Sequence, residues 1–244
     1  MNRKKEILLR FPILSDLHIS GKDSEGSKKL KNLYNIIKSR GTCDLIMFAG
    51  DMTDFGLYEQ IEEFADITTK NFDLNKTKLV FSVGNHELYN NELNHAPLTV
   101  GEDFKTAFKN KTFENASDFE IHHCLQHVVI KKIHFIGFNA YKYSGGVDFL
   151  QEDIEWLENA IDVAEDESEK NMPIFICAHP MIVGTCYGSD YGGKDGGYWA
   201  SRRLYDILKK HPRVIYFAGH LHFPLQNEKS IWLDISGIIL CCIR

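Results

Sequence analysis

Leu45-Ile46-Met47-Phe48-Ala49-Gly50-Asp51-Met52-Thr53-Asp54 joins an unbroken apolar run to a glycine and a spaced pair of acids. Asp44 to Phe48 reads as a sheet strand, and Gly50 permits a sharp exit with close backbone approach. Asp51 then presents two oxygens able to bridge two ions, although such a pair standing alone is a common turn. The arrangement recurs: Ile7 to Leu14, Lys78 to Val83, Ile174 to Ala178 and Val214 to Ala218 are similar runs. Polar islands follow them, namely Asp16-Leu17-His18, Gly84-Asn85-His86-Glu87, Ala178-His179-Pro180 and Gly219-His220-Leu221-His222. Between the runs, helical periodicity covers Lys28 to Ser39, Leu57 to Thr69 and Trp199 to Lys210. Strand then helix, repeated, predicts an α/β fold with the islands at strand tips, where ligands distant in sequence converge.

Asp148 to Lys170 reads as a further helix, with Asp148 as N-cap, Gln151 three residues on, and an acid-rich face turned to solvent. Ile121 to Phe138 predicts a β-hairpin turning near Lys131-Lys132, and Ile231 to Ile239 gives more strand around Gly237. Two sheets are therefore expected, one of them antiparallel toward the C-terminus.

A chain of 244 residues fits one domain, 1–244, and a net charge of -6 supplies no basic footprint, so nucleic acid is not the default partner. The start of the chain lacks the pattern of a secretory signal, and no apolar run is long enough to span a membrane. The cysteines, including adjacent Cys241 and Cys242, match no disulfide framework, which favours a reducing, cytoplasmic setting. Ile238 to Ile243 ends the sequence on an apolar strand, as a fragment cut from a longer chain would, and offers one place for a partner; oligomeric state is left open.

The islands carry the chemistry. Residues two apart in an extended segment project to one side, so Asp16 and His18 can reach one cation. Asn85 offers a neutral carbonyl oxygen, while His86, its neighbour, can point away and act as an acid. Taken singly, His179 suits a buried core histidine, and His220 with His222 a surface pair. Chance placement of all five islands in this order is improbable. His95, His122, His123, His127, His134 and His211 have no such spacing and read as loop or hairpin residues.

The order Asp-x-His, Gly-Asp-x-x-Asp, Gly-Asn-His-Glu, His, Gly-His-x-His resembles the calcineurin-like metallophosphoesterase superfamily across nearly the whole chain. The resemblance implies a four-layer α/β/β/α sandwich with two mixed sheets and a metal site on loops at the strand ends. It also implies one metal on Asp16, His18 and His222, another on Asn85, His179 and His220, and Asp51 as the bridge. His86 would be the general acid that protonates the leaving alkoxide, with Asp54 orienting it through a hydrogen bond; a helix N-cap before Leu57 suits Asp54 equally. Two divalent ions bring about +4 against about -3 from Asp16, Asp51 and a hydroxide between them, leaving a positive site suited to a phosphate ester. The ligands suit Mn, Fe, Zn, Ni or Co, and the resemblance points to Mn or Fe, divalent or trivalent.

Within the superfamily, Phe55 and Val83 stand where protein serine/threonine phosphatases carry arginines, and Asp54 where purple acid phosphatases carry a tyrosine. His86 replaces the arginine of the lipid A pathway pyrophosphatases. The remaining pattern looks like bacterial phosphodiesterases of the cyclic-nucleotide type. Hence the favoured expectation is a phosphodiesterase acting on a nucleotide-like substrate. The alternatives are a broad phosphomonoesterase, a nuclease, or a non-catalytic protein-binding scaffold. The loop Gly184 to Trp199, with Tyr187, Asp190, Lys194, Asp195 and further tyrosines, is a candidate substrate rim. Its Gly188 to Lys194 stretch mimics a P-loop, but Asp195 would repel phosphate and excludes that reading.

Overall fold

The computed structural model describes residues 7–93, 99–141, 147, 149–190, 200–222, 231–234 and 237–241. Strand β2 (Leu45–Ala49) is buried at every position and lies between β1 (Ile13–Leu14) and β3 (Lys78–Ser82), both parallel to it. A strand with no polar alternation must be covered on both faces. Leu45, Met47 and Ala49 face one way, into a cluster with Phe135, Cys177 and Phe217 of a second sheet. Ile46 and Phe48 face the other way, and Phe48 meets Phe64 of helix α2 (Tyr58–Asn71) edge to face at 5.0 Å. Helix α1 (Glu25–Ser39) completes that outer layer, its buried Tyr34 hydroxyl bonded to Thr68 of α2 at 2.8 Å.

After β3 come helices α3 (Asn85–Leu93), α4 (Val100–Ala107) and α5 (Asp118–His122). The second sheet is formed by β4 (Gln126–Ile130), β5 (Ile133–Gly137), β6 (Ile174–Cys177), β9 (Val214–Ala218), β10 (Ile231–Asp234) and β11 (Gly237–Cys241). Its order is β10-β11-β9-β6-β5-β4, parallel through the middle and antiparallel at both edges. Helices α6 (Gln151–Glu167) and α7 (Arg202–Leu208) bury Ile154, Leu157, Ile161, Leu204 and Ile207, in one cluster with Ile176 and Tyr216. Strands β7 (Met181–Ile182) and β8 (Ala200–Ser201) form a separate pair. The layers are α/β/β/α, as expected; among the described residues the strands of the first sheet are all parallel and the second sheet is mixed.

Three details depart from the sequence reading. The strand expected over Ile7 to Leu14 pairs only at Ile13–Leu14, because Pro12 has no N–H to give a ladder. Instead Phe11 lays its ring against Phe135 and Phe175 at 5.1 and 4.9 Å. The cap of α6 falls at Leu150, without a side-chain bond, and Asp148 lies outside the described residues. Ile121 belongs to α5 rather than to the hairpin, whose turn is nevertheless Lys131-Lys132, both at positive φ as a two-residue type I′ turn requires.

Inside that hairpin His127 Nε2 lies 2.9 Å from His134 Nδ1. Burial, and then the neighbouring His134, push His127 down to about 4 from 6.5. A histidine depressed in the folded state costs nothing above its unfolded value. As pH falls through this interval, the unfolded chain takes up the proton first and stability drops. Acidification from 6.5 to about 4 is expected to remove about 1–2 kcal/mol through this residue, less than the full shift because His127 is partly exposed. His127→Gln should flatten the slope of urea-melt stability against pH; an unchanged slope would contradict the assignment.

Candidate metal centre

Parallel register brings the C-terminal ends of β2, β3, β6 and β9 to one edge, with Ala49 opposite Ser82 and Cys177 opposite Phe217. The two sheets are tied together there through His179. Its backbone N–H donates to Ser82 Oγ at 2.9 Å, and its Nδ1 to the Ala49 carbonyl at 2.8 Å. Gly50 is at φ +86, and a Cβ there would stand 2.4 Å from the His179 ring, so both conformation and space demand glycine.

Asp16, His18, Asp51 and His222 form one group whose ligand atoms all lie within 4.8 Å of one another, and Asp51, His179 and His220 form a second. Asp51 belongs to both. His222 Nε2 is 2.9 Å from Asp16 Oδ1 and 3.1 Å from His18 Nε2, while Asp51 Oδ2 is 3.1 Å from His179 Nε2. Asn85 Oδ1 joins the second group, 3.2 Å from His179 Nε2 and 2.9 Å from His220 Nδ1. The chain thus brings together Asp16, His18, Asp51, Asn85, His179, His220 and His222, the residues singled out in the sequence.

The route to this convergence differs from the expected one. Asp16 and His18 do not alternate along an extended strand; both sit at positive φ, as do Asp51, His220 and His222. The N–H groups of Leu17 and His18 both reach the Asp51 carbonyl, at 2.8 and 3.1 Å. Left-handed backbone at non-glycine residues costs about 1–3 kcal/mol each and gathers where function over-determines the geometry.

Electrostatics fit a cation. With Nδ1–H given to Ala49, His179 turns Nε2 toward Asp51 Oδ2, Asn85 Oδ1 and, at 3.3 Å, His220 Nδ1. Atoms that accept rather than donate repel one another unless positive charge stands among them. Burial works against a charged His179, but the Asp51 carboxylate outweighs it and raises the imidazole to about 10, so a proton on Nε2 supplies that positive charge wherever a cation does not. The same ion pair, opposed by burial, holds Asp51 well below the usual carboxylate range. Burial, and then His179, drive His220 down to about 3, and burial also lowers His18. Both therefore stay neutral at pH 7, as metal-ligating imidazoles must. Imidazole nitrogen, carboxylate and amide oxygen form a donor set suited to first-row transition metals.

His86 lies beside this cluster, half-buried, with Nε2 4.0 Å from Asp51 Oδ2. Its Nδ1 donates to the Asp54 main-chain carbonyl at 2.7 Å, whereas the Asp54 carboxylate is 3.7 Å from it and 3.5 Å from His18 Nδ1. The hydrogen bond expected from the Asp54 side chain is therefore made by its backbone. The helix cap falls at Leu57, without a side-chain bond, so Asp54 is not that N-cap either. Of the loop Gly184 to Trp199, residues 184–190 are described, with Tyr187 exposed, and Lys194, Asp195 and the rest lie outside the described residues.

Glu87 closes the Gly84-Asn85-His86-Glu87 island, and its sequence position alone indicates no role for it. Its fully buried carboxylate accepts from Asp51 N at 2.9 Å, Thr53 N at 2.7 Å, Thr53 Oγ1 at 2.9 Å and Gly84 N at 2.7 Å. Burial, and then Asp51, push it up to about 7, while these donors pull it down. Glu87 therefore clamps the loop after β2 to the loop after β3. Glu87→Ala would strand several buried donors and is expected to cost about 3–5 kcal/mol by urea unfolding; a loss below about 1 kcal/mol would refute the clamp. Asn139 works similarly and was not foreseen: Oδ1 accepts from Val83 N, and Nδ2 donates to the carbonyls of His123 and Cys124.

Two ligand clusters that share a buried carboxylate, at the strand-end edge of an α/β/β/α sandwich, have the layout of a metal-dependent hydrolase. Residues 9–224 match the family described as Calcineurin-like phosphoesterase. The chain belongs to that family and is a hydrolase acting on phosphate esters. It is 28% identical over 234 residues to a protein of Arcobacter nitrofigilis described as "Probable glycerophosphodiester phosphodiesterase GpdQ", covering 91% of this chain and 74% of that protein. The crystal structure of a dimetal phosphatase from Danio rerio shares the fold with a TM-score of 0.62 at 12% identity, over 95% of this chain and 86% of that one. No described helix is long and apolar enough to cross a membrane.

Proposed function

We propose that this chain is a phosphodiesterase that uses two metal ions. One would be held by Asp16, His18 and His222, the other by Asn85, His179 and His220, with Asp51 shared. The observation that carries this reading is the position of Asp51, buried at 1% exposure and common to both ligand clusters. Metals bound there would supply Lewis-acid polarisation of the phosphoryl oxygens and lower the pKa of attacking water.

The chain's own groups supply the rest. Asp51 Oδ1 accepts the His86 backbone N–H at 3.0 Å, fixing the start of α3 against the cluster. The Asp54 carbonyl holds His86 Nδ1–H, leaving Nε2 turned toward the site; in its imidazolium form it gives that proton to the departing alkoxide as the P–O bond breaks. Asp54 is thus a positioning residue through its backbone.

A diester is preferred over a monoester because the motif pattern is of the cyclic-nucleotide phosphodiesterase type and the Arcobacter relative is described as a diesterase. Mn or Fe is the preferred metal, a nucleotide-like diester the preferred substrate, and 1–244 is read as one domain in a reducing, cytoplasmic setting. The test is hydrolysis of bis-p-nitrophenyl phosphate against p-nitrophenyl phosphate by Mn²⁺-loaded protein. Diester preference supports the proposal; monoester preference makes the chain a phosphatase, and metal uptake without turnover makes it a scaffold.

A further inference from the structure

His86 has an aromatic neighbour that the chemistry so far does not use. Phe55 follows Asp54, the residue whose carbonyl holds the His86 ring, and is 43% exposed. Tyr89 lies three residues beyond His86 on α3, hence on the same face of the helix, and its ring centroid is 5.5 Å from that of Phe55 at 59°. The ring pair therefore stands on the flank of the site from which the proposed acid works.

Its position is fixed by the backbone beneath it. Phe55 N–H donates to the buried Gln60 side chain at 2.9 Å, and Gly56 N–H to Thr53 Oγ1 at 3.2 Å. Gly56 is at φ +65, where a Cβ would meet the Glu87 carbonyl oxygen at 2.1 Å, so the turn packs directly on the clamp that orders the metal loops. An exposed phenyl ring on so constrained a turn is a preformed surface rather than a loop tip. Leu57 and Tyr58, also exposed at 37% and 39%, extend the apolar stretch in sequence.

Resting on the phosphodiesterase reading, we infer that Phe55, backed by Tyr89, is a specificity-determining platform on the leaving-group side of phosphorus. It selects diesters whose departing alcohol carries a planar aromatic group, as aryl and nucleoside alcohols do. Stacking on one aromatic side chain is sequence-tolerant and large enough to change affinity by roughly ten- to hundredfold. Because the ring touches a part of the substrate that does not react, its contribution falls on KM more than on kcat.

The experiment compares metal-loaded wild type, Phe55→Ala, Phe55→Leu and Phe55→Trp on two diesters. Bis-p-nitrophenyl phosphate releases an aromatic alcohol; glycerophosphoethanolamine carries only small aliphatic ones. Comparing each variant with wild type on the same ester cancels intrinsic leaving-group reactivity. The inference expects Phe55→Ala and Phe55→Leu to raise KM roughly ten- to hundredfold for the aromatic ester, with kcat and the aliphatic ester nearly unchanged, and Phe55→Trp to restore it. Equal losses on both esters, or none on the aromatic one, would overturn it. Wild type inactive on every ester would remove the phosphodiesterase reading itself, and this inference with it, so the two failures are distinguishable.

Discussion

Asp51→Asn is expected to lower metal-dependent kcat/KM by at least about 10³, beyond what loss of a single polar contact usually costs. The substitution keeps volume and leaves an oxygen to accept the His86 backbone N–H, now made at 3.0 Å. What it removes is the negative charge common to both ligand clusters. Asp51 Oδ2, 3.1 Å from His179 and 4.0 Å from both His18 and His86, would become a neutral amide atom, and a cation on either side would lose its shared carboxylate. Elemental analysis should therefore find less metal per chain in the variant, alongside the lost turnover. Full activity in a metal-replete assay would show that Asp51 does not bridge.

Removing His86 should produce a different signature. His86→Ala takes away a side chain held by a backbone carbonyl at 2.7 Å and not placed among the proposed metal ligands, so metal content should persist. Turnover of esters with poor, alkoxide-like leaving groups should fall by roughly 10² to 10⁴, the usual span of general acid catalysis. Esters that release p-nitrophenolate need little protonation and should suffer far less. That divergence separates an acid from a residue that merely supports the site, because structural damage would slow both classes alike. Equal losses would argue against the role.

Legibility of the fold followed the strength of local signals. Val214–Ala218 is a strand with the bounds its sequence indicates, because an unbroken β-branched and aromatic run between polar islands has no competing pattern. Helices α3, α4 and α5 were not foreseen, for reasons that differ. Asn85–Leu93 starts inside a motif read for its chemistry, and its polar composition gives little periodicity. Val100–Ala107 contains Gly101, a poor helix residue, retained where a Cβ would stand 1.7 Å from the Ile121 carbonyl oxygen. Asp118–His122 carries a usable local signal in its sequence: Ser117 and Glu120 form a capping box, with both bonds made.

The site divides in the same way. The residues that converge were legible because imidazole, carboxylate and amide groups recur after successive strands, and the order of the islands is distinctive. What holds those residues was not legible, because it lies in backbone geometry and in contacts between distant segments. The left-handed turns at Asp16, His18, Asp51, His220 and His222 leave no trace in hydrophobic periodicity. Neither does the exchange by which the Asp54 carbonyl, rather than its carboxylate, positions His86. Glu87 and Asn139 act across dozens of residues, joining loops whose proximity only the packed sheets create.

The most direct test of the central claim is a Mn²⁺ titration of chelator-stripped protein, following metal per chain, thermal stability and bis-p-nitrophenyl phosphate turnover together. The account predicts saturation at about two ions per chain, turnover that appears with loading, and stabilisation of about 2.7 kcal/mol per site at a hundredfold excess over Kd. Full turnover by the stripped protein in excess chelator, or saturation without stabilisation or turnover, would contradict it.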